Sequence, residues 1–178
     1  MTILASIADG AQRRELQFLL AGGHAVIAHG YARNTFDLDL IIRRADQVSW
    51  KEFAANLGYR THSEGQTFLQ FNPSDPASLP LDLMMVNDET FSKLLVDAVA
   101  APSGTGGARV VSLLHLIALK SHAIKHGHPG RVEKDLDDVI HLVQLNRLDL
   151  SQPEIRALVL KYGPPELYGK LQRVCQKL

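Results

Sequence analysis

The alternation of apolar and polar positions over the first 110 residues predicts short strands interleaved with short helices. Apolar runs such as Leu16–Ala21 are typical of buried strands, and glycine or proline separates them from the next element. In chain order, the predicted elements are a helix at 3–14, a strand at 16–21, one or two helical turns at 24–29, a strand at 36–42, a helix at 46–57, strands at 59–63, 67–72 and 81–86, a helix at 89–99 and a strand at 109–111. This order predicts an α/β domain whose sheet is flanked by helices.

From residue 112 onward the pattern becomes helical throughout. Helices are predicted at about 112–126, at about 131–145, from a cap at Ser151 to a break at Gly163, and at 166–177. Ser112 and Ser151 are the predicted N-caps of the first and third of these helices. The chain is therefore predicted to consist of an α/β domain at 1–110 and a C-terminal helical domain at 111–178 that packs on it.

Composition and charge narrow the class of protein. Apolar residues make up 46% of the chain and charged residues 21%, which is ordinary for a soluble globular protein. The net charge is zero, with a balance of −3 over 1–112 and +3 over 113–178, so neither half has the basic excess of a dedicated nucleic-acid binder. No apolar run reaches the roughly 18 residues needed to span a bilayer. A single cysteine, Cys175, excludes an intramolecular disulfide framework, and a cytoplasmic location is predicted.

Acidic residues interrupt two otherwise apolar strands. Asp37 and Asp39 stand two apart in the sequence FDLDLII, so their side chains share one face of the predicted strand. Asp82 is a lone acid in LDLMMV. Like charges among buried residues are costly unless a metal or an arginine compensates them. If the two strands are neighbours, three carboxylates converge, and such hard oxygen ligands suit Mg²⁺ and the phosphoryl chemistry that metal ions support.

The pair of aspartates also has a plainer interpretation. An acid in a strand is more often a strand-end or salt-bridge residue than a metal ligand, so Asp37 and Asp39 alone leave both interpretations open. The presence of Asp82 in a second apolar strand favours the functional interpretation. Gly22 and Gly23 follow a predicted strand and precede a helical turn, where glycines let the backbone approach a phosphate, although most such pairs are simply turns.

The stretch from Leu20 to Ile42, LAGGHAVIAHGYARNTFDLDLII, resembles the signature of the nucleotidyltransferase superfamily. That signature consists of Gly-Gly or Gly-Ser, a short helix and an Asp-x-Asp strand, and Asp82 matches the superfamily's third acid. The chain is most similar to a small bacterial branch that includes the AbiEii-type toxins and other minimal nucleotidyltransferases. Within that branch, the counterparts between the glycines and the aspartates are His29-Gly30, Arg33 and Thr35, and those in the helical half are LIALK at 116–120, Lys134-Asp135 and Asp138.

The resemblance implies a nucleotidyltransferase-type mixed sheet flanked by helices and followed by a helical bundle. It implies that Asp37, Asp39 and Asp82 bind Mg²⁺ or Mn²⁺, and that Asp82 helps to deprotonate an acceptor hydroxyl. The further roles that it implies are phosphate binding by Gly22 and Gly23 and charge neutralisation on the triphosphate by Arg33 and Lys120. An ordinary surface arginine and a solvated helix lysine are the alternatives for the last two. Gly23 stands where many active members have serine.

Three other features carry less weight. His122, His126 and His128 have spacings that suit zinc, but a solvated helix end is the favoured interpretation because no fourth ligand lies nearby in sequence. The spacing of Arg109 and His115 loosely resembles an RNase motif and is set aside. Cys175 is predicted to be an inert thiol.

Two main functions follow from the sequence, and a third interpretation is an antitoxin-like regulatory subunit. The first is a metal-dependent transferase that moves a nucleoside monophosphate from an NTP, with ATP favoured, to a hydroxyl of a protein, an RNA or a small molecule, in a toxin-like role. The second is an inactive protein of the same fold that binds a nucleotide or a partner protein. An antitoxin partner and a homodimer are further predictions, and no membrane partner is expected.

Overall fold

The computed structural model describes residues 2–175 and groups them into two compact units. Within the described residues, the sheet unit comprises 2–28 and 33–112, and the helical unit comprises 29–32 and 113–175. The chain therefore changes unit after residues 28, 32 and 112. The end of the predicted helix 166–177 lies outside the described residues.

The sheet unit contains four α-helices, a short 3-10 helix at Arg44–Asp46 and seven strands within the described residues. In chain order the α-helices and strands are α1 Ile3–Gln12, β1 Phe18–Leu20, α2 Gly22–Ala28, β2 Leu38–Arg43, α3 Gln47–Asn56, β3 Tyr59–Glu64, β4 Phe68–Pro73, β5 Leu81–Val86, α4 Asp88–Val96, β6 Val99–Ala100 and β7 Arg109–Val110. The strands form one sheet in the order β3-β4-β5-β2-β1-β7-β6. Parallel pairs (β2 with β5, β1 with β7) and antiparallel pairs occur together, so the sheet is mixed.

Apolar side chains bury one face of this sheet along β2, β4 and β5. Leucines and a phenylalanine that alternate along β2, β4 and β5 point to this face and are at most 2% exposed: Leu38, Leu40, Leu69, Phe71, Leu81 and Leu83. Phe18 of β1 belongs to the same face, because it pairs with Ile42 in register with Leu20 and Leu40. Its ring meets the ring of Trp50 on α3 edge to face, with the centroids 5.8 Å apart. The helix α3 thus covers this face.

The opposite face carries the acids. Asp39 and Asp82 alternate with the buried leucines of β2 and β5, and the parallel register places them directly opposite each other. Gln70 of β4 pairs with Asp82 in the antiparallel register. We call this side of the sheet the acidic face. A row of polar side chains therefore crosses three neighbouring strands on it.

The helical unit within the described residues has the helices α5 Leu113–His126, α6 Pro129–Leu145, α7 Pro153–Tyr162 and α8 Leu167–Cys175. The segment 29–32, which lies between α2 and β2 in sequence, is fixed on α6. The hydroxyl of Tyr31 donates to Oδ2 of Asp137 at 2.7 Å, and the Tyr31 ring stacks on His141 with the centroids 4.0 Å apart. The Asn146 amide donates to the His29 carbonyl at 3.0 Å.

Two predictions about element boundaries were wrong. The predicted helix 89–99 ends at Val96, and Val99–Ala100 forms the edge strand β6 against β7. The Arg109 guanidinium donates to the Ala98 carbonyl at 2.6 Å, which holds this segment extended. Ser151 is not the cap of α7. Its N–H and hydroxyl both bind Oδ1 of Asp149, and Gln152 occupies the N-cap position without a side-chain bond. No described helix is both long and apolar enough to cross a membrane.

Candidate active site

The three predicted acids converge at one point on the acidic face. Each offers one carboxylate oxygen, and these oxygens lie within 4.8 Å of one another. Asp39 and Asp82 are brought together by the register of β2 and β5, and Asp37 lies two residues before Asp39, just ahead of β2. All three side chains are half-buried.

This set of donors fits a divalent cation. Three carboxylates at such distances repel one another, and a hard cation with oxygen ligands compensates their charge. Partial burial strengthens both the repulsion between the carboxylates and their attraction to a cation, because electrostatic interactions are less screened there than in bulk water. Within residues 2–175 no other group of three His, Cys, Asp or Glu side chains converges in this way. His122, His126 and His128, for which zinc was the disfavoured interpretation, do not form such a group in the described part of the chain.

Two neutral side chains orient the acids. The hydroxyl of Thr35 donates to Oδ1 of Asp37 at 2.9 Å. The amide Nε2 of Gln70 donates to Oδ2 of Asp82 at 3.0 Å. Each bond holds one carboxylate oxygen and so restricts rotation of that carboxylate. Residues that support metal ligands act in this way.

Gly22 is required by both its conformation and its neighbour. Its φ of +55° lies in the left-handed region, which favours glycine. A Cβ built at Gly22 would overlap the carboxylate of Asp39, so the side chain of Asp39 occupies the space that any other residue would fill. The Ala21 N–H donates to the Asp39 carbonyl at 2.9 Å and fixes the backbone at the same point.

Gly23 is packed equally closely, against the loop before β2. A Cβ there would overlap the hydroxyl of Thr35 and would lie 3.2 Å from Nη1 of Arg33. The sequence suggested that these glycines let the backbone approach a phosphate. The contacts in the structure are with the acid Asp39 and with the residues that lead to Asp37, so the glycines also shape the carboxylate group itself.

Arg33 lies beside Gly23, and its Nη1 donates to the carbonyl of Asn34 at 2.8 Å. His24 follows the glycines on α2. Its pKa is lowered, chiefly because burial disfavours the charged ring, with the nearby Arg33 adding to this and Asp37 acting in the opposite direction. Cationic and titratable side chains therefore border the carboxylates on the side of α2.

Lys120 belongs to the helical unit and is not solvated, so that interpretation of its side chain was wrong. It is 8% exposed, and its Nζ contacts Oδ1 of Asp135 at 2.6 Å and Oδ2 of Asp138 at 2.8 Å. Both acids lie on α6, three residues apart, and so share a helix face. The helical unit thus contains a buried cluster of one ammonium and two carboxylates.

The three histidines and the cysteine that the sequence singled out lie in the helical unit. His128 caps α6, with its Nδ1 accepting from the Gly130 N–H at 3.2 Å, while His122 and His126 lie against each other with ring centroids 4.6 Å apart. Burial raises the pKa of the Cys175 thiol, which lowers its thiolate fraction at neutral pH.

The sequence interpretation missed Gln70 and His24 as neighbours of the acids. Gln70 lies in the predicted strand that precedes the strand of Asp82 in sequence. Only the register shows that Gln70 stands opposite Asp82. His24 directly follows Gly22 and Gly23, which was a usable signal for its proximity.

No family model and no curated protein matches this sequence. Solved structures do match its fold. ANT(2'')-Ia in complex with adenylyl-2''-tobramycin is 18% identical with a TM-score of 0.65, covering 88% of this chain and 92% of its own. The lincosamide antibiotic adenylyltransferase LnuA, bound to lincomycin, is 15% identical with a TM-score of 0.58, covering 78% and 93%. A putative nucleotidyltransferase from Thermotoga maritima is 14% identical with a TM-score of 0.52, covering 74% and 85%.

At these identities the similarity shows the fold. The mixed sheet with flanking helices is a nucleotidyltransferase-type fold, which confirms the fold predicted from the Gly-Gly and Asp-x-Asp signature. Assignment to the AbiEii-type branch stays a prediction.

Proposed function

We propose that this protein is a metal-dependent nucleotidyltransferase that moves a nucleoside monophosphate from an NTP to an acceptor hydroxyl. The observation that carries the proposal is the convergence of Asp37, Asp39 and Asp82 within 4.8 Å on the sheet of a nucleotidyltransferase-type fold. A protein that only bound a partner would have no physical need to keep three mutually repelling carboxylates together.

The transfer is a substitution at the α-phosphorus of the NTP. The acceptor oxygen forms a bond to that phosphorus, the bond from the phosphorus to the bridging oxygen breaks, and pyrophosphate leaves with the electron pair. The hydroxyl proton passes to the carboxylate of Asp82 and from there to solvent. A bound Mg²⁺ or Mn²⁺ would supply neutralisation of the phosphate charge and orientation of the reacting oxygens.

The residues of the chain then have separate tasks. Asp37, Asp39 and Asp82 would hold the metal ions, with Thr35 fixing the orientation of Asp37. Gly22 and Gly23 lie where the backbone N–H groups at the start of α2 can bind the triphosphate. Arg33, next to Gly23, would neutralise charge on the phosphates. Lys120 would also neutralise charge on the triphosphate. Its two aspartate partners give it a structural role as well.

A small-molecule acceptor is favoured over a protein or an RNA end. Two of the structural neighbours are associated with antibiotics, one in complex with adenylyl-2''-tobramycin and one as a lincosamide antibiotic adenylyltransferase. The adenylyl group is common to both, which favours ATP as the donor here. A toxin-like role, an antitoxin partner, a homodimer and a cytoplasmic location stay predictions from the sequence.

The test is calorimetric titration of the purified protein with each NTP, in Mg²⁺ and again in EDTA, beside an Asp37→Asn/Asp39→Asn variant. We expect binding of one or more NTPs that requires Mg²⁺ and is lost in the variant, followed by pyrophosphate release when hydroxyl compounds are added. Equal binding with and without Mg²⁺, and no pyrophosphate release, would instead favour an inactive nucleotide-binding protein.

A further inference from the structure

On β4 and β5 the acidic face continues beyond the carboxylates as an exposed apolar pair. Phe68 of β4 and Met84 of β5 are directly paired across the two strands and are 42% and 43% exposed, whereas Ile41, which pairs with Met84 on β2, is fully buried. Their neighbours in sequence, Leu69 and Leu83, are at most 1% exposed on the opposite face. The exposure is therefore confined to the side of the sheet that carries the acids.

This apolar pair adjoins the polar row that ends in Asp82. Phe68 lies two residues from Gln70, and Met84 lies two residues from Asp82. Because two residues of a strand span about 7 Å, the apolar pair lies about that far along the strands from the polar pair. The Phe68 ring rests on the hairpin turn, where a Cβ built at Gly65 would overlap it. The ring is thus held in place at the edge of the surface, and Met84 supplies an adaptable side chain beside it.

The order of the strands places Phe68 and Met84 on the side of the carboxylates away from Gly22. Gly22, at the end of β1, contacts Asp39 from one side, whereas β4 lies beyond Asp82 on the other side. In an in-line displacement, the leaving and attacking oxygens stand on opposite sides of the phosphorus. If the triphosphate lies at the glycines, the acceptor hydroxyl approaches from the side of Asp82, and the rest of the acceptor extends over β4 and β5.

The chemistry of that surface selects the acceptor. Strand β4 has the sequence FLQFNP and carries no charged residue, and Asp82 is the only charged residue of β5. A cationic acceptor would find no further carboxylate on these strands. Apolar contact with Phe68 and Met84 and a hydrogen bond to the amide of Gln70 instead favour a neutral molecule.

We propose that Phe68 and Met84 form the acceptor subsite and that it takes an uncharged hydroxyl compound with an aromatic or aliphatic group about 7 Å from the reacting oxygen. This inference rests on the proposed function. It specifies the acceptor class, which the fold alone leaves open.

The methionines give a local probe. The chain has three, and two of them, Met84 and Met85, are adjacent on β5 but point to opposite faces, with Met85 only 2% exposed. In protein carrying ¹³C-methyl methionine, the Met84 methyl reports the surface and the Met85 methyl is an internal control. A Met84→Leu variant assigns the signals.

The experiment adds phenyl β-D-glucopyranoside, and separately methyl β-D-glucopyranoside, in the presence of Mg²⁺ and α,β-methylene-ATP. We expect the phenyl compound to shift the Met84 methyl saturably through its ring current, to leave Met85 in place, and to bind at least fivefold more weakly to a Phe68→Ser variant. Val48→Ser removes an apolar side chain that is 67% exposed on α3 and should change nothing. The methyl compound should produce no saturable shift.

The outcomes separate the two proposals. Magnesium-dependent binding of the nucleotide without a Met84 response, or with equal affinity in Phe68→Ser, overturns the subsite and leaves the transferase standing. Absence of magnesium-dependent nucleotide binding overturns the transferase, and a Met84 response in that case would no longer identify an acceptor.

Discussion

Gln70 and Asp82 face each other across β4 and β5, and Nε2 of Gln70 donates to Oδ2 of Asp82 at 3.0 Å. This bond connects a neutral strand to the group of carboxylates. Because one oxygen of Asp82 is held by the amide, the carboxylate cannot rotate freely, and its other oxygen keeps a fixed position relative to Asp39. The orientation of a proposed metal ligand therefore depends on a residue that carries no charge.

Replacing Gln70 by leucine should weaken the metal site without unfolding the protein. The substitution removes the donor to Asp82 while keeping a side chain of similar size, and loss of such supporting bonds lowers metal affinity about tenfold or more. Manganese titration followed by electron paramagnetic resonance measures the effect. Gln66→Leu is the matched control, because Gln66 lies exposed in the adjacent turn. Equal manganese affinity in the two variants would show that Asp82 needs no such support.

Gly22→Ala should damage the site through contact as well as strain. A residue with a side chain in the left-handed conformation costs about 1–2 kcal/mol, and a Cβ at Gly22 would also displace the Asp39 carboxylate. Gly104→Ala is the control, since its φ of +87° is also positive and a methyl group there would meet no atom within 4 Å. Urea unfolding and manganese titration should show that both variants lose stability and that Gly22→Ala alone loses metal binding.

Lys120→Met should destabilise the protein strongly. It leaves Asp135 and Asp138 buried without their cation, and breaking a buried ion pair from one side costs about 3–5 kcal/mol. Lys93→Met, which removes one partner of an exposed pair with Glu89, should lose far less stability, because solvent screens that pair. Urea denaturation compares them. Similar losses in both variants would mean that water compensates the aspartates when the lysine is removed.

Glu64 should give a small, pH-dependent contribution to stability. A hydrogen bond from Lys51, with that residue's charge and a second bond from Gln47, holds the pKa of Glu64 below its ordinary value. A lowered pKa in the folded state means that the stabilisation is present above the ordinary pKa and disappears as the pH falls through the folded value. Thermal melting of wild type and Glu64→Gln should therefore differ at pH 7 and converge as the pH falls below the lowered pKa of Glu64 in the folded state. In a Lys51→Met background, the difference at pH 7 should shrink.

The local sequence pattern predicted most of the helices and strands and the convergence of the acids. Both depend on the spacing of apolar and polar residues over a few positions. The spacing of two predicted one strand face for Asp37 and Asp39, and the two acids do converge although Asp37 lies just ahead of β2. Asp82 stood out as a charge in an apolar strand. What the sequence could not reveal depends on register between distant segments. Val99–Ala100 continues an apparent helix, and only its pairing with Arg109 and Val110 makes it a strand.

The same limit applies to individual side chains. Lys120 follows an apolar stretch and looks like the solvated end of a helix face, and its burial becomes evident only when α6 brings Asp135 and Asp138 against it. Gln70 is inconspicuous in sequence until the hairpin register places it opposite Asp82. Single residues whose role depends on a partner far along the chain are the ones that sequence interpretation missed.

The fixation of residues 29–32 on α6 has a consequence for how the gene can be cut. Because the chain enters the helical unit briefly between α2 and β2, no single break separates the two units. A fragment starting at residue 113 would lack Tyr31, the hydrogen-bonding and stacking partner of Asp137 and His141. A fusion, truncation or recombination design that separates the C-terminal helices from the rest of the chain would therefore leave residues 29–32 of the helical unit behind.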